Sequence, residues 1–142
     1  MNRFFIYLFA VGLLAGLLVG CQPGEDMAES EKLFIKMVDK TAGKLDLDEN
    51  QKIQLEQLKV DIRKNFREGL KEKKEAAAKI KEETMRENPD NPKITSLLRE
   101  IIRIETERVK RGFDLMLNFQ SNLTGAQKKK LNQMISKWVI QD

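Results

Sequence analysis

The sequence predicts an all-α protein, an elongated chain of four helices built on one long antiparallel hairpin and paired as a homodimer. Three observations carry this. Apolar residues recur at steps of three and four over long stretches, the spacing of one helical face. Lys, Glu, Leu, Ile and Gln dominate, and charged residues make up 34% of the chain, the mark of helices with much solvated surface. No bounded run of alternating β-branched residues suggests a strand. The three prolines, Pro23, Pro89 and Pro92, all fall outside the periodic stretches.

The N-terminus comes first. Met1-Asn2-Arg3 carries a positive charge, Phe4 to Val19 is almost entirely apolar, and small Gly20 precedes Cys21, the single cysteine of the chain. A charged start, an apolar middle and a small-residue cleavage point are the layout of a secretory signal. The apolar stretch lies at the short end of the roughly 17–25 residues that a spanning helix needs. Leu18-Val19-Gly20-Cys21 resembles a bacterial lipobox. The resemblance implies that residues 1–20 are removed and that Cys21 becomes an acylated N-terminus. Two or more acyl chains hold a protein stably on a membrane, with each buried CH₂ contributing about 0.8 kcal/mol. Gln22 follows that cysteine. By resemblance to enteric sorting rules this implies the outer rather than the inner membrane, on its periplasmic face.

Removing residues 1–20 leaves 122 residues, one domain's worth. Arg3 leaves with the signal, so 25 basic residues face 22 acidic ones, net +3. So mild a balance, on an exported chain, does not suggest nucleic acid. With Cys21 acylated there is no thiol for a disulfide or a cysteine-based metal site. Residues 21–30, with Pro23 and Gly24, read as a short polar tether, and residues 31–142 as the helical domain.

A first helix is predicted over Glu31 to about Ala42, with Leu33, Phe34, Met37 and Val38 on one face, and Gly43 at its C′ position. The second runs from Asp48 to about Glu87 on a stripe of Leu55, Leu58, Ile62, Phe66, Leu70, Ala77 and Ile80. At 1.5 Å per residue it is a rod of about 60 Å, unless Gly69 divides it in two. Asn88-Pro89-Asp90-Asn91-Pro92 is a turn. The third helix covers about Lys93 to Gln120, with Ile94, Leu97, Leu98, Ile101, Ile102, Val109, Phe113 and Met116. After a break at Asn122 to Gly125, a fourth extends to about Ile140, with Leu131, Met134, Ile135 and Trp138. Two long helices joined by a tight turn pair antiparallel. A thin hairpin cannot shelter its own stripes, and a second copy is expected to cover the remainder.

Two helix starts share one pattern. Leu47-Asp48-Glu49-Asn50-Gln51 and Leu123-Thr124-Gly125-Ala126-Gln127 each place a leucine before a capping side chain and a Gln three residues after it. This is the chemistry of a capping box: Asp48 or Thr124 accepts from the free N3 amide, and the Gln reaches back to the N-cap amide. Asp46 with Glu49 is an overlapping alternative. Leu47 and Leu123 sit at N′, with Ile53 or Leu131 as apolar partners farther along.

With this pair of motifs the chain resembles the LTxxQ family of periplasmic proteins (Spy/CpxP-like) over roughly residues 31–140. Leu123-Thr124-Gly125-Ala126-Gln127 matches fully and is followed by Lys128-Lys129-Lys130; the first copy departs at Asp48, which stands where the family has Thr. The resemblance implies a cradle-shaped antiparallel dimer. It also implies ATP-independent chaperoning, restraint of envelope-stress signalling or, in related branches, metal sensing. Lipidation departs from the soluble members.

No catalytic constellation stands out. The chain has no histidine, which excludes Ser-His and Cys-His nucleophiles and His-based zinc chemistry, and no Gly-rich phosphate loop is present. The expectation is a non-enzyme without cofactor. Metal sensing or resistance is the alternative function. The family's metal-sensing branches rely on histidines, and the scattered Met27, Met37, Met85, Met116 and Met134, which could take Cu(I), read as core filler, so no metal site is assigned. A binding surface is the stronger reading. Arg67 to Arg86 mixes basic and acidic residues with Leu70, Ala76, Ala77, Ala78, Ile80 and Met85. Much of it reads as a solvated face laced by i,i+4 pairs such as Glu82–Arg86. The client-binding candidates are Lys71, Lys73, Lys74, Lys79, Ile80 and Arg86. The expected partners are unfolded or envelope proteins, or the sensor domain of a membrane kinase.

Overall fold

The computed structural model describes residues 25–139, with side chains from 27 to 137. Residues 1–24, including Cys21, together with Ile140 and the side chain of Trp138, lie outside the described residues. Among the described residues four helices follow one another: α1 (Glu25–Ala42), α2 (Glu49–Thr84), α3 (Asn91–Phe119) and α4 (Gly125–Val139), with a 3-10 turn at Gln120–Asn122 before the last. No strand occurs among the described residues, and no described helix is long and apolar enough to cross a membrane.

The axis of the fold is the hairpin of α2 and α3. Asn65 Nδ2 donates to the Arg108 carbonyl at 2.7 Å, Lys73 pairs with Glu105, and Glu83 pairs with Lys93 at 2.6 Å. As one partner advances along the chain the other retreats, which is antiparallel register. The 36 residues of α2 form one unbroken helix, so Gly69 does not divide it. Its lack of a side chain serves packing instead. A Cβ there would lie 2.6 Å from Cγ of Arg108, whose guanidinium is held by Glu72 at 2.6 Å and Glu68 at 3.2 Å.

α1 packs antiparallel along the first half of α2, and the core is concentrated there. Phe34 and Val38 from α1 meet Leu55, Leu58, Ile62 and Phe66 from α2 and Ile104 from α3. α1 begins at Glu25, six residues before the sequence expectation of Glu31. The reason is Met27, only 2% exposed. It stands seven residues before Phe34 on the same helical face, and its Cε reaches the surface at Gly69. The polar composition of residues 25–30 masked that turn. Every described element and every described core residue lies between residues 25 and 139, so a chain that starts at residue 22 contains all of them.

The stripes need three further corrections. Leu33, expected on the buried face of α1, is exposed, because the face that packs is that of Met27, Phe34 and Val38. On α3, Leu98, Ile102 and Phe113 are exposed, and the buried apolar side chain is Ile104, absent from the expected stripe. α3 carries apolar residues over a wider arc than α1 and α2 can cover. α1 ends at Ala42 as expected, but the left-handed residue of the connection is Asp46, at φ 49°, not Gly43. Asp tolerates that region better than most residues.

The hairpin turn is closed by a buried carboxylate. Glu83 is 1% exposed; it accepts from Lys93 Nζ at 2.6 Å and from the Asp90 amide at 3.2 Å. Asp90 in turn caps α3 by accepting from the Lys93 amide at 3.0 Å, and Pro92 sits in the first turn, where its missing N–H is harmless. The Lys93 ammonium holds the Glu83 carboxyl below the usual carboxylate range, against the opposing effect of burial. A depressed folded-state pKa stabilises above the unfolded value, near 4.3 for Glu, and that stability disappears as pH falls through the folded value. Glu83→Gln is therefore expected to lower the melting temperature at pH 7. The gap to wild type should narrow below pH 4, as wild type loses the same contribution. A gap unchanged from pH 7 to pH 3 would show that the charge of Glu83 plays no part.

Candidate functional site

Two helix starts meet at the end of the molecule opposite the turn. At α2, the Asp48 carboxylate accepts from the Gln51 amide at 2.8 Å, and Gln51 Oε1 accepts from the Asp48 amide at 3.1 Å. At α4, Thr124 Oγ1 accepts from the Gln127 amide at 3.3 Å, and Gln127 Oε1 accepts from the Thr124 amide at 2.9 Å. Both are complete reciprocal boxes, and Asp48, not Asp46, is the N-cap of α2.

The two glutamine amides then pair with each other. Gln51 Nε2 donates to Gln127 Oε1 at 2.9 Å, and Gln127 Nε2 donates to Gln51 Oε1 at 3.0 Å. Each also donates to backbone just ahead of the other motif: Gln51 to the Asn122 carbonyl at 2.8 Å, Gln127 to the Leu45 and Asp46 carbonyls at 3.1 and 3.3 Å. Asn122 and Asp46 each stand five residues before the glutamine of their own motif, so the arrangement has local two-fold character. The left-handed turn at Asp46 aims its carbonyl into this cluster, and its carboxylate meets Lys130 at 3.3 Å. Leu123 is buried and Leu47 packs against the core, while Ile53 is 69% exposed and is no partner to Leu47. Two helix N-termini, each a partial positive charge, are brought together here. The anionic cap Asp48 offsets them where a neutral cap would not. With all donors and acceptors of both amides engaged, this cluster is a clasp and offers nothing to a ligand.

Binding capacity lies along the sides of the helices. The six candidates from the sequence do not form one surface. Lys71 and Lys74 are exposed and border a furrow of α2 with Arg67, Leu70 and Ala78. Lys79 belongs to a separate cleft between α2 and α3, beside Glu72, Glu75, Glu100 and Arg103. Arg86 sits at the turn with Glu82 and Glu83, at 3.6 and 3.5 Å. Ile80 is half-buried. Lys73 is corrected: it is 5% exposed and turned onto Glu105 of α3, so it presents no charge outward. Its place among three other lysines hid this, because the deciding partner is 32 residues away.

Two features escaped the sequence reading. An apolar cavity of about 500 Å³ lies among all four helices, lined by residues including Met37 of α1, Leu55 and Leu58 of α2, Phe113 and Leu117 of α3, and Leu131 and Ile135 of α4. Along α3, Leu98, Ile102, Phe113 and Leu117 share one face, all at least 46% exposed. That so thin a hairpin leaves apolar surface uncovered was legible; which face is left, and Leu117 on it, was not. Of the methionines, Met27 is core and Met85 is exposed at the turn, with Met37, Met116 and Met134 half-buried. Among the described residues no group of three or more His, Cys, Asp or Glu is placed to hold a metal ion.

No curated protein and no solved structure matches the chain. The model of the LTXXQ motif family does match, over residues 35–134. That span reaches from α1 through α4 and takes in both capping boxes and the amide clasp between them, and on it the chain belongs to the LTXXQ motif family of proteins.

Proposed function

We propose that this protein is a membrane-anchored periplasmic chaperone, independent of ATP, that holds unfolded or partner proteins on a charged, partly apolar helical surface. One observation carries the reading. The α3 face of Leu98, Ile102 and Leu117 stays open among charged neighbours, with the outer side of Phe113 beside them, an apolar strip that water-soluble helices ordinarily cover. The furrow of Leu70 and Ala78 between Arg67, Lys71 and Lys74 adds attraction for acidic segments. Lysine stems can rest over apolar surface while their charges stay in water, so weak, adaptable contacts suffice, with no pocket and no covalent step. A second copy of the chain is the natural shelter for the α3 strip when no client is bound. Family membership and the lipobox-like Leu18-Val19-Gly20-Cys21 support an exported protein anchored through Cys21, on the periplasmic side of the outer membrane.

The test is an ATP-free aggregation assay with residues 22–142 and several unrelated unfolded proteins. Suppression of most of them is expected. Lys71→Glu with Lys74→Glu should weaken it several-fold at low salt and little at high salt, where screening has already removed the attraction. Leu98→Ser with Ile102→Ser should weaken it at both. No suppression, together with one saturable partner in a pull-down, would replace the chaperone with a dedicated signalling adaptor. For the anchor, full-length Cys21→Ala should not be lipidated, and metabolic labelling with a fatty-acid analogue reads this directly.

A further inference from the structure

We infer that the outer face of α4 is a membrane-facing strip that binds anionic lipid headgroups. α4 differs from the other described helices in charge. α1, α2 and α3 each mix both signs, and pairs such as Glu49–Lys52, Glu56–Lys59 and Glu100–Arg103 cancel locally. α4 carries Lys128, Lys129, Lys130 and Lys137 and no acidic residue. All four lysines are exposed. Lys130 turns toward Asp46, while Lys128, Lys129 and Lys137 surround a shallow furrow floored by Gly125, Asn132 and Ser136.

The chemistry of that furrow selects its partner. On α2, Leu70 and Ala78 lie between the basic side chains, which suits a polypeptide with apolar segments. On α4 the residues between the lysines are Gly125, Asn132, Gln133 and Ser136, with no aliphatic side chain among them, so they offer hydrogen bonds beside the charge. Leu131 and Ile135, on the adjoining face, are turned to the apolar cavity. A basic amphipathic helix of this kind suits a membrane surface. Proximity completes the argument, and here the inference rests on the anchored reading above. Cys21 stands four residues before Glu25, about 14 Å of chain at full extension. An acylated Cys21 would keep the domain beside the bilayer, where a few lysines suffice because attraction extends about one screening length, roughly 8–10 Å.

Residues 22–142 contain every described element and lack Cys21, so they test the strip without the anchor. The probe is vesicles of phosphatidylcholine with and without phosphatidylglycerol, read by co-sedimentation. Binding is expected to the anionic vesicles alone, with release at 1 M salt, where the screening length is about 3 Å. Replacing Lys128, Lys129 and Lys137 together by Gln should reduce binding by about tenfold or more, with circular dichroism unchanged. Replacing Lys71, Lys74 and Lys79 by Gln removes the same charge elsewhere and should leave most of the binding. Equal loss in both triple variants, equal binding to both vesicle types, or capture by poly-glutamate but not by vesicles would each overturn the inference. A failure of the anchor appears instead in the lipidation of full-length Cys21→Ala, and leaves the vesicle result untouched.

Discussion

Truncating Phe34 to alanine is expected to destabilise the protein by about 3–5 kcal/mol, the range for a buried aromatic. Phe34 is 3% exposed. Its ring centroid lies 5.1 Å from Phe66 of α2 and 5.0 Å from Phe113 of α3, so one side chain joins α1 to both arms of the hairpin. It also rests on Gly112, where an added Cβ would come within 2.8 Å of the ring. Against a total stability of about 5–15 kcal/mol, the loss is a large fraction. The damage should fall first on α1, whose other buried apolar anchors among the described residues are Met27 and Val38. Urea unfolding measures the total, and amide exchange should show α1 losing protection before α2. The counterpart is Gly112→Ala. Helix propensity alone favours Ala by about 1 kcal/mol, but the rigid ring has no free end to yield, so the variant should also be less stable. A stabilised Gly112→Ala, or a Phe34→Ala within 1 kcal/mol of wild type, would show that α1 does not pack as described.

Gln51→Ala carries the second large effect, about 2–4 kcal/mol. The side chain is 5% exposed and its removal does three things at once. It opens the capping box of α2, worth about 0.5–2 kcal/mol. It leaves the Asn122 carbonyl without that donor, and it takes from Gln127 both a donor and an acceptor. A buried polar group left without a partner costs about 1–3 kcal/mol. Gln127→Ala should cost less, because Gln127 is only half-buried. The double variant should cost less than the two singles combined, with a coupling of about 0.5–3 kcal/mol. Two independent caps would be additive, so additivity would deny the clasp. Amide exchange in α4 gives a second reading. With Leu131 and Ile135 against the cavity, the clasp is its main tie to the rest of the chain, and protection there should fall in either single variant.

How far each feature could be read from the chain follows the range of the interactions behind it. Asp48 and Gln51 are three residues apart, as are Thr124 and Gln127, and a capping box needs nothing farther. The turn at 88–92 follows from the backbone restrictions of two prolines. The start of α1 is not legible locally, because its one large apolar residue, Met27, is separated from Phe34 by two helical turns of mostly polar residues. Lys73 and Lys74 are neighbours of identical chemistry, yet one is buried on Glu105 and the other borders an open furrow. Nothing local distinguishes them. Glu83 resembles the adjacent Glu82 in the same way, until Lys93 and the Asp90 amide enclose it.

Helix content, helix order, the caps and the antiparallel hairpin were thus determined by the sequence alone, because they rest on hydrogen bonds and apolar spacing within a turn or two. The tertiary structure alone decided which face of each helix is covered, that Ile104 rather than Leu98 enters the core, and that the glutamines of two motifs 76 positions apart pair with each other. Those outcomes depend on how many neighbours a surface finds once the helices are docked. α3 has more apolar surface than its partners can cover, and the uncovered part is the surface on which the proposed function rests.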